Sequence, residues 1–299
     1  MPLWKSFAGE VAAAARELRA DARQILRYVL STESHVYAFA VAANVLLSFW
    51  PFMLVLIAVF RNVLGWPAAV TALYATIQDY FAGATGQFLV YNLEVVTQWR
   101  RQVEWLSLLL LLFTANGIFL PLEVALNRAW GVKENRSLLK NQAASMGLIF
   151  VCGTLALFSA ALTGAGVQVW EAFFGQTGAT APFAVKMIAK AASLPITVLV
   201  LLLIYAWLPN TTVPKRAILP RVVVVGLALE LLKWVNLAIW PWLFRKFDRE
   251  FGVFKHSVTI LTWSFLAAMV MLAGAEWIAW RTRACGGADE KTVEFGACS

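Results

Sequence analysis

Tyr37–Phe60 reads YAFAVAANVLLSFWPFMLVLIAVF and contains no Asp, Glu, Lys or Arg. Three more stretches are equally free of charged residues: Trp105–Leu122, Ala143–Trp170 and Ala191–Pro214. A helix needs about 20 apolar residues to cross the hydrocarbon core of a bilayer. Inside that core only helices and closed barrels satisfy their own backbone hydrogen bonds. These long charge-free runs therefore predict a helical membrane protein that crosses the bilayer several times.

The overall composition agrees with this prediction. Hydrophobic residues make up 61% of the chain and charged residues 14%, whereas about 25% of the residues of a soluble domain are charged. Two further apolar segments, Val222–Phe244 and Ser257–Ala275, raise the predicted number of spans to six. The expected fold is all-α, with a membrane domain over residues 35–281 and spans at about 37–60, 105–127, 143–166, 188–208, 218–242 and 258–280.

The distribution of basic residues predicts the orientation in the membrane. If the N-terminus is cytoplasmic, the inside segments hold fifteen Lys and Arg residues and the outside segments nine. The positive-inside rule then places both termini in the cytoplasm. No cleavable signal peptide is evident, so the first span is expected to remain as an anchor. Residues 282–299 are expected to form a flexible cytoplasmic tail.

The first 34 residues carry an amphipathic pattern. The pattern predicts a helix over residues 5–30 with an apolar face and arginines on the opposite face. The apolar face comprises Phe7, Val11, Leu18, Ala22, Ile25 and Val29. Such a helix lies on the inner leaflet, where each basic side chain gains about 1 kcal/mol from anionic lipid. The function of this helix is either to reinforce the orientation of the protein in the membrane or to sense lipid. Nucleic-acid binding is not expected, because Glu10, Glu17 and Asp21 interrupt the basic stripe.

The connection Trp66–Glu104 is too long for a simple link between neighbouring spans. It holds two apolar faces separated by Gly83 and Gly86: the first consists of Ala69, Leu73, Ile77, Tyr80 and Phe81, and the second of Phe88, Tyr91 and Val95. We expect two short helices that lie on the outer membrane surface or cap the bundle. Tryptophans near the span ends, including Trp240 and Trp277, are expected to anchor at the interface.

Polar residues inside the predicted spans are the candidates for a substrate pathway, since such groups are costly in lipid and usually face a bundle interior or a cavity. They repeat at spacings of three, four or seven, which place side chains on one side of a helix. The candidates are Asn44, Ser48, Asn116, Glu123, Asn127, Glu230, Lys233, Asn236 and Glu276. Glu230 precedes Lys233 in the order that favours an ion pair. The alternative is that uncharged members, such as Asn44 and Asn116, only join helices through hydrogen bonds.

Several motifs resemble the BrkB/YihY family of bacterial inner-membrane proteins. They are Ala-Leu-Asn-Arg-Ala-Trp at Ala125–Trp130, Leu-Pro-Asn at Leu208–Asn210 and LTWSFLAAMVMLAGAEWIAW at Leu261–Trp280. The resemblance covers about residues 35–281. It implies a six-span protein with a long first outer loop, located in the bacterial inner membrane and associated with envelope or serum-resistance phenotypes and with transport.

Some members of that family carry a ribonuclease label, which this sequence does not support. Phosphodiester cleavage needs a metal-binding cluster or a paired acid and base, and the soluble segments offer neither. Only two histidines are present, His35 and His256, and the cysteine spacing is not that of a zinc site. We therefore expect neither an enzyme nor a bound metal or cofactor; Glu123 with Arg128 is the one weak candidate for an enzymatic site.

The leading functional hypothesis is a transporter of an amphipathic anionic substrate, such as a lipid or lipid-linked molecule. The net charge of +8 favours anionic partners, and arginine holds phosphate with a planar fork of donors. The expected headgroup contacts are Arg128, Arg136, Arg245 and Arg249. A membrane scaffold for envelope biogenesis is the alternative, and a membrane-bound enzyme is a third. Membrane lipids are the expected partners, and homo-oligomerisation stays open.

The topology is tested by labelling single cysteines in intact cells. A cysteine placed between Arg128 and Gln142 is expected not to react with an impermeant thiol reagent added from outside, because this loop is predicted to be cytoplasmic. A cysteine placed between Trp66 and Glu104 serves as the reactive control. Reaction at the first position would show that the predicted orientation is wrong.

Overall fold

The computed structural model describes residues 3–63, 65–81, 83–97, 119–132, 143–144, 147–148, 150–155 and 181–288. Within these ranges the chain is helical apart from short turns, and no strand occurs. The all-α fold class predicted from the sequence is therefore confirmed for the part of the chain that the structure describes.

The helices are numbered in chain order. The first five are α1 (Leu3–Ala20), α2 (Ala22–Val29), α3 (Thr32–Ala58), α4 (Pro67–Tyr80) and α5 (Ala84–Thr97). Residues 119–129 form α6 and residues 150–155 belong to α7. The last three are α8 (Ala181–Trp207), α9 (Lys215–Phe251) and α10 (Lys255–Ala288). A π-helical turn at Val59–Val63 extends α3, and a 3₁₀ turn at Gly252–Phe254 joins α9 to α10.

Two helical stretches of the described chain are long and apolar enough to cross a membrane, Thr32–Asn62 and Ala238–Arg283. The second includes the end of α9, the turn and most of α10. Of the other predicted spans, 188–208 overlaps α8 and 218–242 lies inside α9, whereas 105–127 and 143–166 fall largely outside the described residues. The number of six spans thus stays a prediction.

The length of α9 defines two ends of the molecule. Its 37 residues measure about 55 Å at roughly 1.5 Å per residue, whereas the hydrocarbon core of a bilayer is about 30 Å thick. The helix is therefore longer than the predicted span inside it. We call the end with α1, α2 and Arg221 the basal end, and the end with the α9–α10 turn the apical end.

The larger apolar core joins α1, α3, α6, α8, α9 and α10. Its largest enclosed side chain is Tyr205 of α8, whose hydroxyl donates to the backbone carbonyl of Met271 in α10 at 2.7 Å. This bond satisfies the Tyr205 hydroxyl, which would otherwise be buried among apolar side chains without a partner. Trp277 belongs to the same core and Trp240 is also buried, so the prediction that these two rings anchor at the membrane interface is wrong.

A second apolar cluster lies at the apical end, where α4 and α5 pack on the end of α3 and on Ile260 of α10. The face predicted for α4 is confirmed for Ala69, Leu73 and Ile77, which are all buried. On the face predicted for α5, Phe88 and Tyr91 are exposed, so this face is not the one that packs into the apical cluster, and its contact with the outer membrane surface stays a prediction. The buried side of α5 is formed instead by Thr85, Gly86, Leu89, Val90 and Leu93. Both sides of this helix carry large apolar residues, so periodicity alone could not choose between them.

The N-terminal segment differs from the predicted single helix over residues 5–30. It consists of α1 and α2, with a break at Asp21. Its apolar side chains, among them Val11, Leu18 and Ile25, pack against the larger core, and Ala14 is fully part of it. The apolar face predicted to enter the inner leaflet is therefore covered by protein. Burial raises the pKa of Tyr28 on α2 above its ordinary value, as expected for a hydroxyl held away from water.

Helices α9 and α10 approach closely at Gly274. A Cβ atom at this position would lie 2.6 Å from Cγ2 of Val225 and 3.1 Å from the hydroxyl oxygen of Tyr205. Valine is branched at Cβ and stiff about χ1, so its methyl groups cannot move aside cheaply. Glycine at position 274 therefore sets how closely the two helices pack.

Replacing Gly274 with Ala is expected to destabilise the protein by about 1–3 kcal/mol through overpacking. The double variant Gly274→Ala with Val225→Ala is expected to recover part of this loss, because the second change removes the clashing methyl groups. Gly9→Ala in α1 is the matched control: its Cβ would meet nothing within 4 Å, and alanine favours a helix. Thermal unfolding in detergent measures all three. A melting temperature unchanged in Gly274→Ala would contradict the close approach.

Candidate functional site

The most unusual polar group of the described spans lies on the middle of α9. Nζ of Lys233 donates to Oε1 of Glu230 at 2.7 Å, one turn away. The same carboxylate oxygen accepts a hydrogen bond at 3.1 Å from Oγ1 of Thr197 on α8. The predicted ion pair is thus present, and Thr197 is a third member that the sequence analysis missed. The only sequence feature that marks Thr197 is its hydroxyl group in an otherwise apolar segment.

This cluster is partly open at the surface of the described chain. The side chain of Lys233 is 31% exposed and that of Glu230 is 16% exposed. Large apolar side chains of the same helix, including Leu227, Leu231 and Trp234, are exposed beside it. The flank of α9 is therefore amphipathic, with a charged pair set among apolar side chains at the level of a predicted span. Asn236, one turn further along α9, is half-buried.

The two family-like motifs meet at the junction of α6 and α8. Oδ1 of Asn127, in the Ala-Leu-Asn-Arg-Ala-Trp motif, accepts a hydrogen bond of 2.7 Å from the backbone N–H of Asn210, in the Leu-Pro-Asn motif. Asn127 and Leu208 are both buried. Because Pro209 follows the last turn of α8, the helix ends here. The amide oxygen of Asn127 thus satisfies a backbone N–H just beyond the end of α8.

Glu123 lies one turn before Asn127 on α6 and is only 1% exposed. Its Oε1 atom has no hydrogen-bond partner in the described structure, and the same holds for Nε1 of Trp130. Glu123 and Asn127 lie four residues apart on the buried face of α6, and the half-buried Trp130 follows three residues later in the turn after the helix. Arg128 points elsewhere, since its side chain is largely exposed and pairs with Glu33. The structure thus does not bring Glu123 and Arg128 together as an enzymatic pair.

The polar residues of α3 hydrogen-bond within their own helix. Nδ2 of Asn44 donates to the carbonyl of Ala40 at 2.8 Å, and Oγ of the buried Ser48 donates to the carbonyl of Asn44. Bonds of this kind satisfy polar side chains inside an apolar helix. They do not by themselves mark a substrate pathway. Asn116 and Arg136 lie outside the described residues.

At the basal end, acidic residues of α1 and α2 hold arginines of the long helices. Nε and Nη2 of Arg281 donate to the two carboxylate oxygens of Asp21 at 2.6 and 2.8 Å. Nε1 of Trp277 donates to the same carboxylate at 2.9 Å. Arg221 of α9 makes a second two-pronged contact with Glu17, at 2.9 and 3.3 Å. Such paired hydrogen bonds are stronger and more directional than single ones.

These acids correct an interpretation made from the sequence. Glu17 and Asp21 do not interrupt a basic stripe, as the sequence predicts they would, because they lie on the other side of the helices and hold the segment to α9 and α10. The signal was their four-residue spacing, which places them on one face. Two further pairs lie nearby: Glu33 with Arg128, and Glu276 with Arg283 at 3.7 Å. Arg128, predicted to contact headgroups, is thus paired within the protein.

Glu276 also lines a shallow depression at the basal end. The depression lies between α2 and α10 and is partly open to solvent. Asp21, Gln24, Ile25, Trp277 and Trp280 complete its main lining. Neither Glu230 nor Lys233 lines this depression, so it does not extend to the central ion pair.

The apical end carries the other two predicted headgroup contacts. Arg245 and Arg249 are exposed on the last turns of α9, and Nε of Arg245 donates to the carbonyl of Pro241 at 3.1 Å. Nearby, Nδ1 of His256 lies 3.0 Å from Oγ1 of Thr85. The His256 ring stacks on that of Phe88 with 4.2 Å between centroids. These contacts fasten α5 to the start of α10.

The Asn127–Asn210 contact is expected to be structural and important. Asn127→Ala removes the buried amide that accepts from the Asn210 N–H, and the loss of such a hydrogen bond costs about 1 kcal/mol. Asn44→Ala is the control, because that amide only bonds within its own helix. Thermal unfolding in detergent is expected to show the larger loss for Asn127→Ala. An equal or smaller loss than in the control would contradict this role.

Comparison with known proteins places the chain among bacterial membrane proteins. A UPF0761 membrane protein of Chromohalobacter salexigens is 27% identical over 245 residues, which are 81% of this chain and 58% of that protein. One from Azotobacter vinelandii is 25% identical over 199 residues, 66% of this chain and 47% of that protein. The chain thus spans about half the length of these two relatives.

A third relative is matched over most of its length. The UPF0761 membrane protein PSHAa0171 of Pseudoalteromonas translucida is 22% identical over 260 residues, 85% of this chain and 83% of that protein. No solved structure matches the chain. The family described as "Virulence factor BrkB" matches residues 25–294, which include both the Asn127 and the Asn210 motifs. The chain is therefore an integral membrane protein that belongs to the BrkB family.

Proposed function

We propose that this protein moves an amphipathic anionic substrate, a lipid or a lipid-linked molecule, along the flank of α9. The observation that carries the proposal is the cluster of Glu230, Lys233 and Thr197, partly exposed among large apolar side chains. The proposed location is the bacterial inner membrane, with both termini in the cytoplasm.

The physical argument starts from the cost of the ion pair. Ionisable groups at membrane depth are expensive, and an apolar pair would pack there without that cost. A charged pair on an amphipathic flank offers polar contacts to a headgroup while the acyl chains of the same molecule remain in lipid. Lys233 would attract the anionic group, and Glu230 with Thr197 would hold the ammonium group in place when no substrate is present.

The charges at the two ends support an anionic substrate. The chain carries a net charge of +8, and the apical residues Arg245 and Arg249 are exposed where a headgroup could reach them. Arginine binds phosphate through two parallel hydrogen bonds. Arg128 contributes less to this argument than the sequence suggested, because Glu33 already pairs with it.

A membrane scaffold is the competing proposal, and two observations favour it. The Glu230 carboxylate already has partners in Lys233 and Thr197, so the cluster would serve equally well to join α8 to α9. At the apical turn, Val253 and Phe254 are strongly exposed, and exposed apolar patches often mark protein contacts. The two proposals differ in whether the charged pair is needed for activity after folding is restored.

Replacing Lys233 with Met tests the pair directly. The change leaves Glu230 without its cation and is expected to destabilise the protein by about 1–3 kcal/mol, because the pair is only partly buried. The double variant Glu230→Leu with Lys233→Met is expected to recover the melting temperature but not transport. The matched control is Lys246→Met with Glu250→Leu, which removes an exposed pair of the same helix. Full activity of the central double variant would favour the scaffold.

Transport itself is measured with purified protein in liposomes that contain fluorescent anionic phospholipid. Leaflet exchange above that of empty liposomes is expected, with or without an ion gradient, and a reduced rate in Arg245→Gln. Arg128→Gln is less informative, since it also breaks the contact with Glu33. The absence of both exchange and lipid binding in the parent protein would remove the transport proposal.

A further inference from the structure

The exposed side of α1 and α2 carries a continuous row of arginines. Arg16 and Arg19 lie on α1, and Arg23 and Arg27 lie on α2, at spacings of three and four residues that place side chains on one side of a helix. The helical register continues across the break, because the N–H of Asp21 donates to the carbonyl of Glu17 and the N–H of Ile25 to the carbonyl of Asp21. All four are exposed, and none of them forms an ion pair in the described structure. We call this side of the two helices the arginine face.

The acidic residues of this segment lie on the other side. Glu10, Glu17 and Asp21 are spaced by seven and four residues, so they share a face of their own. Glu17 and Asp21 are each engaged by an arginine of the long helices. The arginine face is therefore free of carboxylates, and its positive charge is not neutralised within the segment.

The contacts of those acids also fix how the arginine face is oriented. Arg221 and Arg281 each donate two hydrogen bonds to a carboxylate of this segment. On the same side, Ala14, Leu18 and Ile25 pack into the core. The two helices therefore cannot rotate about their axes without breaking both ion pairs. The arginine face is held outward by the same contacts that attach the segment.

Two exposed leucines indicate what the arginine face meets. Leu26 is 57% exposed and Leu30 is 69% exposed, and they lie beside Arg23 and Arg27. The stretch that is apolar enough to cross the membrane begins at Thr32, only two residues after Leu30. The leucines are therefore at the level where the bilayer starts, and apolar side chains at that level enter the boundary between headgroups and acyl chains.

We propose that the arginine face of α1 and α2 binds the anionic phospholipid headgroups of the adjacent leaflet, with Leu26 and Leu30 entering the lipid beneath them. This interaction is separate from the proposed transport along α9. A nucleic acid would use the arginines but gain nothing from exposed leucines. The combination of basic and apolar groups is that of a membrane-surface helix.

Hydrogen exchange of the full chain in lipid nanodiscs tests the proposal. The amides of residues 3–29 are expected to exchange more slowly in nanodiscs that contain acidic phospholipid than in purely zwitterionic ones. The variant with Arg16, Arg19, Arg23 and Arg27 all changed to Gln is expected to lose this difference. The matched control changes Arg245, Lys246 and Arg249 to Gln at the apical end and is expected to retain it.

A titration gives the size of the effect. Acidic phospholipid added to the protein in detergent is expected to raise the melting temperature, and each Arg→Gln change in the row is expected to weaken the apparent affinity by roughly fivefold. A variant with the same four arginines changed to Lys is expected to keep the response, because the positive charge is preserved. Since all four side chains are exposed, their replacement is not expected to prevent folding.

Three results would each overturn the proposal. One is equal exchange of residues 3–29 in acidic and zwitterionic nanodiscs. Another is an apical control that loses the difference as fully as the arginine-face variant, or a Lys variant that behaves like the Gln variant. The third is binding of a short RNA oligonucleotide through these arginines without any protection by acidic lipid. None of these measurements depends on leaflet exchange. The lipid-binding proposal can therefore be wrong while the transport proposal is right, and the transport proposal can be wrong while lipid binding is right.

Discussion

The absence of water at membrane depth is the constraint on which this structure depends. Every polar group placed there needs a partner from the protein itself. The described helices meet this need where two of them touch: Tyr205 donates to a carbonyl of α10, Thr197 donates to Glu230, and Asn127 accepts the N–H of Asn210. These three bonds lie at helix junctions, so they satisfy polar groups and also fix which helices are neighbours.

The basal end follows a related rule with charges instead of neutral groups. A count of basic residues treats Arg128, Arg221 and Arg281 as signals of orientation, yet each of them holds a carboxylate of the first 33 residues. Orientation and assembly therefore use the same residues. Among the described side chains of the basal end, the arginines without an acidic partner are Arg16, Arg19, Arg23 and Arg27, which are exposed on the outer side of α1 and α2.

Local patterns predicted local features of this fold. The charge-free runs indicated α3 and α8, and the three-residue spacing indicated the pair of Glu230 and Lys233 on α9. The partners that come from elsewhere in the chain could not be read in this way. Glu17 meets Arg221 across 204 residues of sequence, and no periodicity reports such a contact. The buried side of α5 could not be predicted for a similar reason, since burial there is decided by α3 and α4.

Helix α9 is the element shared by the described features. Arg221 joins its basal end to α1, the central pair joins its middle to α8, and Trp240 lies against Gly83 before α5 near its apical end. Helices this closely packed move as rigid bodies between discrete arrangements and do not deform smoothly. Any shift of α9 would therefore have to be accommodated at Arg221 as well. The segment that carries the arginine face and the proposed pathway thus share α9 as their support, the first through Arg221 and the second through Glu230 and Lys233.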